Sequence, residues 1–419
     1  MKTRYQISAL NASPFGGLYA ISELLHQMKF EALFQEVFGD FRQVRKSPPS
    51  ENIALLIATI LSGGERLYDL ERTAQDPVLP ELFGRGYVPY DTTIRDDLQK
   101  IGAMDEARQE LLFRLNELLF RHLQMKIITL DLDGSAVSVE GHQEKAEKGY
   151  CPEDPGSRCF QSLSANCAET DTTLMEQTRP GSTHCAKGFL EFVKTLLDRL
   201  SPQIKKIIVR VDAGPFSRKL VKLLESYDNV IYELAVPQKG WLKRKVRAME
   251  YKSYYDSQRE YGSFGNAKRR YYVERSVRKP GSQLDLLEDN HYNYRVVLSN
   301  DLHRQPHTLF DHYNQRGDDE KNFAELKNEY ALGKMVSGDF AVTKALFWVS
   351  YLAFTIIGIF RKIALRMEYA HYRLRRLRYL LFSAIAYFVN HARQRILNLA
   401  CPKMGEGRFK FILQRIWSL

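Results

Sequence analysis

Residues 205–227, KKIIVRVDAGPFSRKLVKLLESY, run from a β-branched apolar stretch into an acid, a glycine turn and an amphipathic stretch at helical spacing. That order predicts a buried strand, a turn and a helix, and strand followed by helix asks for an α/β core. A second segment, KIITLDLDGSAVSVEG (126–141), is β-branched and alternating, so it reads as another strand with a turn after it. FLEFVKTLLDRL (189–200) reads as an amphipathic helix between the two. The expected fold class is therefore mixed α/β.

The flanking regions differ in pattern. Residues 17–120 have apolar side chains at helical spacing. Within them, VPYDTTIRDDLQKIG (88–102) predicts a short helix, capped by Asp91 or Thr92 and carrying Arg95, and is compatible with a DNA-reading unit. Residues 229–300 read as strands separated by turns. Between 243 and 279 there are 12 Lys or Arg, 4 Asp or Glu and seven Tyr or Phe. Cations interleaved with aromatics suit a surface that grips phosphates and stacks bases. Trp241, Lys243, Arg244 and Lys245 open that stretch. Residues 340–399 read as two or more apolar helices, with the arginine-rich YRLRRLRYLL between two of them. Ala345–Phe360 is apolar but only 16 residues long, bounded by Lys344 and Arg361. A membrane span needs about 20 residues, so a buried core helix is expected and no membrane partner.

Chemistry-bearing residues fall at strand ends and on one helix. Asp131 and Asp133 share a strand at period 2, so both point to one face. Asp212 ends IIVRV, where α/β proteins place ligands. In YNQRGDDEKNFAELK (313–327), Tyr313, Arg316, Glu320 and Lys327 stand at offsets 0, 3, 7 and 14. At about 100° per residue these fall within about 60° of one another, a single stripe suggesting a shared target. Enzymes that cut or join phosphodiesters commonly hold two divalent ions between carboxylates.

Taken together, these motifs resemble bacterial insertion-sequence transposases of the DDE type, in the branch marked by a Tyr-x2-Arg-x3-Glu-x6-Lys helix. Residues 313, 316, 320 and 327 match that spacing without a gap. LDLDGSAV resembles the segment carrying the first acid and favours Asp133, with Asp131 as the alternative; VRVDAGPFS resembles the segment carrying the second, Asp212. EGHQEKAEKGY is similar to the family's Gly-x-Gln…Gly-Tyr turn, and RPGS (179–182) to its Arg-Pro-Gly-Asn loop. VPYDTTIRDDL resembles the family's Ser-x-x-Thr-x-x-Arg segment, with Tyr90 where Ser is common.

The resemblance implies a ribonuclease-H-like core interrupted by a β-rich insertion between the second Asp and the Glu. The expected division is a helical DNA-binding region at 1–122, a split core at 123–228 and 306–400, the basic insertion at 229–305 and a tail at 401–419. It further implies that Asp133, Asp212 and Glu320 bind two Mg2+ ions, with Mn2+ able to substitute. Tyr313, Arg316 and Lys327 would hold phosphates of the DNA end. The implied reaction is cleavage at inverted terminal repeats and transfer of the 3′-hydroxyl strand into target DNA. Double-stranded DNA and a homodimer formed on it are the implied partners. Trp241, in the insertion, could receive a flipped base. The rival expectations are a nuclease with the same core that does not join strands, and a catalytically inactive DNA-binding protein.

Charge and cysteine usage agree with such partners. The formal net charge of +11 favours polyanions. The five cysteines include no C-x-x-C pair, which argues against a zinc ribbon or a disulfide framework. Reduced thiols in a bacterial cytoplasm, on the nucleoid, are the expectation. The first residues lack the apolar core of a signal peptide.

Overall fold

Helices come first along the chain: α1 (Tyr19–Gln27), α2 (Phe30–Phe38), α3 (Pro49–Ser62), α4 (Asp69–Ala74), α5 (Leu79–Phe83), α6 (Asp91–Ala103) and α7 (Asp105–His122). The computed structural model describes residues 11–43, 46–84, 90–255, 258–278, 292–401 and 403–419, with side chains throughout except at 318–320, 403 and 404. The residue capping α6 is Tyr90, one position before the expected Asp91.

Strands and helices then alternate. They are β1 (Ile127–Ser138), β2 (Glu147–Lys148), β3 (Arg158–Cys167), β4 (Thr172–Pro180), α8 (Phe189–Leu200), β5 (Lys206–Val211), α9 (Arg218–Leu224) and β6 (Val230–Ala235). α10 (Gly240–Ala248), β7 (Lys252–Ser253), β8 (Arg259–Gly265), β9 (Arg270–Val277) and β10 (Tyr292–Ser299) follow. One mixed sheet holds them in the order β2-β3-β1-β5-β6-β10-β9-β8-β7, with β4 also on β3. The β1–β5 and β5–β6 pairs are parallel. Each parallel connection carries a helix, as a crossover between parallel strands requires. The basic segment after 229 is thus no separate sheet: β10 pairs with β6, so the same sheet runs on through it.

The remaining elements are α11 (Pro306–Asn314), α12 (Gly317–Glu329), α13 (Phe340–Ala364), α14 (Leu374–Leu377), β11 (Ile385–His391), β12 (Gln394–Ala400) and α15 (Lys403–Trp417). Between Lys344 and Arg361, α13 carries no charged residue on any side, the signature of a helix enclosed by protein. Phe347, Trp348, Tyr351 and Phe354 are all 0% exposed. Burying each such side chain contributes about 1.5–3 kcal/mol. α13 shares one core with α1, α3, α6 and α7, so the N-terminal helices are packed into the molecule rather than hung from it. Two glycines allow its neighbours to approach. A Cβ on Gly102 of α6 would lie 1.8 Å from the Ala341 carbonyl oxygen, and one on Gly358 would lie 2.5 Å from that of Asp171.

Two expectations for the C-terminal part are corrected. Residues 385–400 form an antiparallel hairpin, β11–β12, not a helix. Its two-residue turn, Ala392-Arg393, has positive φ at both positions yet contains no glycine or asparagine, so the usual turn signal is missing. Residues 403–417 are a helix docked on the core, where a tail was expected: Ile412 and Ile416 are buried, and Arg415 donates to the Ile363 carbonyl at 2.9 Å.

Candidate active site

The parallel β1–β5 pairing ends at Leu132 and Val211. The next residue of the chain in each case is an acid, Asp133 within β1 and Asp212 just past β5. Beyond this point β1 continues against β3 alone, from Asp133 opposite Ser164 to Ser138 opposite Cys159. A crevice therefore opens where β5 stops, the position at which open α/β sheets bind ligands. It holds a cavity of about 600 Å³ lined by both acids, Gly134, Ser135, Tyr150 and His184, among others.

Two loops that stood out in the sequence build its wall. The Gly149-Tyr150 turn and the Arg179–Ser182 loop touch backbone to backbone: a Cβ on Gly149 would lie 1.9 Å from the Gly181 carbonyl oxygen. Arg179, 6% exposed, donates to the Lys187 carbonyl at 2.8 Å and ties down the loop that carries His184.

A cation stands between the acids. Arg316 Nη1 lies 3.8 Å from Asp133 Oδ1, and Nη2 lies 3.9 Å from Asp212 Oδ1. One guanidinium thus spans two carboxylates 79 residues apart in the chain, beyond hydrogen-bonding distance of either. Nη1 is buried without a hydrogen-bond partner among the described residues. Burial works against the charge on Arg316, but Tyr313, Asp133 and Asp212 outweigh it and its pKa is raised.

The Tyr-Arg-Glu-Lys stripe is not one helix. Tyr313 lies in the last turn of α11, Arg316 caps α12, and i→i+3 bonds from Gln315 and Arg316 tighten the joint. Tyr313 is 6% exposed and its hydroxyl donates to the Val211 carbonyl at 3.3 Å, so it props the end of β5 rather than facing solvent. Burial raises its pKa, which keeps the hydroxyl neutral. Lys327 pairs with Glu153, a residue of the cavity wall. Glu320 lies on the α12 backbone, and its side chain is outside the described residues. Among the described residues no three His, Cys, Asp or Glu side chains gather closely enough to hold an ion.

Asp131 and Asp133 part company here. Asp131 is 3% exposed and both its oxygens accept from Arg210 at 2.6 Å. Asp133 has a quarter of its side chain exposed and sits at the crevice. Arg210 escaped notice in the sequence, although a charge inside an apolar strand always asks for a partner.

The remaining candidates lie elsewhere. Arg95 is exposed on α6 and donates to Ser337 Oγ at 3.1 Å. On α10, Leu242 and Val246 face inward while Trp241, Lys243, Arg244 and Lys245 are exposed, which gives a short basic ridge. Trp241 is 52% exposed and meets the Tyr271 ring edge-on at 5.8 Å.

Residues 6–419 match the family described as Transposase DDE domain group 1. The chain belongs to this DDE transposase family. Solved transposases align with it at low identity and low structural overlap. A piggyBac transposase synaptic complex with hairpin DNA aligns at 12% identity and TM-score 0.48, covering 88% of this chain and 80% of that one. A pre-cleavage Mos1 transpososome aligns at 12% identity and TM-score 0.18, over 48% of this chain and 63% of that one. No curated protein matches the sequence.

Proposed function

We propose that this member of the DDE transposase family is a metal-dependent DNA transposase that cuts at the inverted terminal repeats of an insertion sequence and joins the freed end to target DNA. The observation that carries the reading is the acid pair at the ends of β1 and β5 with Arg316 between them. A ribonuclease-H-like core is supported by the antiparallel strands β4, β3 and β1 followed by the parallel strands β5 and β6.

The donor set fits hard cations such as Mg2+ or Mn2+. Carboxylate oxygens are what such ions take, and Arg316 is held off both acids rather than saturating them. Asp133 and Asp212, with Glu320 as the resemblance implies, would hold two ions. When bound, such ions supply charge neutralisation at the scissile phosphate.

The chain's own residues then divide the work. Arg316 Nη1, without a hydrogen-bond partner among the described residues, donates to a phosphate oxygen. Lys327 exchanges Glu153 for a backbone phosphate. Tyr313 holds the end of β5, and with it Asp212, in register. Arg95 and the α10 ridge grip flanking duplex, and Trp241 offers a ring to an unstacked base. Water attack on the end phosphodiester frees a 3′-hydroxyl. In-line attack by that hydroxyl on a target phosphodiester forms the new bond and expels the target's own 3′-oxygen. Two ends must be processed together, so the protein acts on DNA as a homodimer, on the bacterial nucleoid.

The test mixes terminal-repeat DNA, supercoiled target and Mg2+ or Mn2+. Joined products are expected from the wild type, and loss of about 10²–10³-fold in rate from Asp133→Asn or Asp212→Asn. Nicking without joining would make it a nuclease. Binding without any product, unchanged by Asp212→Ala, would make it an inactive DNA-binding protein.

A further inference from the structure

A row of charged side chains crosses three neighbouring strands beneath the acid pair. Asp131 on β1 lies opposite Arg210 on β5, which lies opposite Glu233 on β6. The three are 3%, 1% and 0% exposed. Every charge has a partner: Arg210 grips Asp131 through Nε and Nη2, and Glu233 accepts from Arg304 Nη1 at 2.8 Å.

The row is also bolted to α11 at one residue. Arg210 Nη1 donates to the His312 carbonyl at 2.6 Å. His312 Nδ1 lies 2.9 and 3.0 Å from the two Glu233 oxygens. His312 precedes Tyr313, and one helical turn later the chain delivers Arg316 between Asp133 and Asp212.

Replacing buried ion pairs with apolar side chains often leaves stability unchanged or improves it. Stability alone therefore does not call for this row. Its hydrogen bonds do fix one thing an apolar row could not, namely the depth and rotation of α11 against the strand ends.

We infer that Asp131, Arg210, Glu233 and His312 form a positioning device that sets Arg316 between the two acids, and that Asp131 serves there and not as a metal ligand. This rests on the proposed function for its catalytic consequence, but the anchoring itself does not. Because a one-ångström misplacement near a reacting centre can cost about 10²-fold in rate, a loosened α11 would lower kcat while leaving ground-state DNA binding in place.

The test compares Asp131→Leu/Arg210→Met, in which both charges go together, with Arg210→Lys, which keeps the charge. Five quantities are measured: thermal stability, Mn2+ binding by calorimetry, hydrogen exchange across 306–317, and kcat and KM for cleavage of end DNA. The double variant is expected to fold and bind Mn2+ as the wild type does. Its 306–317 amides should exchange faster, and its kcat should fall by about 10²-fold with KM little changed. Arg210→Lys should recover part of that loss. Lost Mn2+ binding in the double variant would make Asp131 a ligand, and unchanged exchange with unchanged kcat would make the row structural; either overturns the inference. If the wild type itself cleaves no DNA, the proposed function fails, and hydrogen exchange with Mn2+ binding still decides the anchoring.

Discussion

Lys327 and Glu153 show what a single contact can do at this site. Glu153 lines the cavity and Lys327 reaches it by pairing with Glu153, so in the proposed reaction the two compete for the same phosphate path. Glu153 is 68% exposed, so the pair adds little to stability, about 0–1 kcal/mol. Glu153→Gln should therefore leave the melting temperature nearly unchanged. It should raise DNA affinity and steepen the salt dependence by about one counter-ion, since Lys327 no longer trades one anion for another. Fluorescence anisotropy across a salt series reads both; unchanged affinity would remove Lys327 from the DNA path. At this scale the sequence went only so far. Period 2 pointed to Asp131 and Asp133 together, the strand-end rule pointed to Asp212, and only the family resemblance favoured Asp133; the structure sets Asp133 and Asp212 at adjacent strand ends. Periodicity alone did not separate Asp131 from Asp133, because the physical partner that does, Arg210, lies 79 residues away. The burial of Tyr313 was equally hidden, since a tyrosine on a charged stripe reads as a surface residue.

Among elements, legibility followed the strength of local signals. α8 matches the amphipathic run 189–200, and β5, β6, β9 and β10 fall within the β-branched stretches. The β11–β12 hairpin was missed for a physical reason. Its turn places Ala392 at φ 46° and Arg393 at φ 67°, where glycine or asparagine normally announces the reversal. Left-handed backbone costs an ordinary residue about 1–2 kcal/mol. Substituting Asn-Gly for Ala392-Arg393 should therefore stabilise the protein by about 1 kcal/mol, seen as a higher denaturant midpoint at unchanged slope. A lower midpoint would mean that the Arg393 side chain holds the turn. The break between α11 and α12 was illegible too, because Gln315 and Arg316 both keep helical backbone angles and only their hydrogen bonding changes.

Over the whole molecule, one helix and one sheet organise everything. The sheet runs without interruption through the basic region, so the α10 ridge and the acid pair ride on a shared scaffold. α13 fills the space between the N-terminal helices and the sheet, and Gly358 lets it touch the β3–β4 turn. Gly358→Leu should destabilise by at least about 1–3 kcal/mol, measured by chemical denaturation, because the carbonyl oxygens of Asp171 and Thr170 and the buried, β-branched Thr172 side chain stand in the way. A neutral result would show that the turn moves freely. A mixed α/β architecture was readable from the 205–227 segment, whereas the continuity of the sheet was not, since strand order across a sheet leaves no local mark.

In the proposed reaction, acids from β1, from the residue after β5 and from α12 meet around divalent ions. Fe2+ substituted for Mg2+, with ascorbate and peroxide, generates radicals that cut the backbone beside the bound ion. Cuts clustered at residues 133, 212 and near 320, suppressed by excess Mg2+ and absent in Asp133→Asn, are the predicted result. Cuts that avoid 133 and 212, or that persist unchanged in that variant, would contradict it.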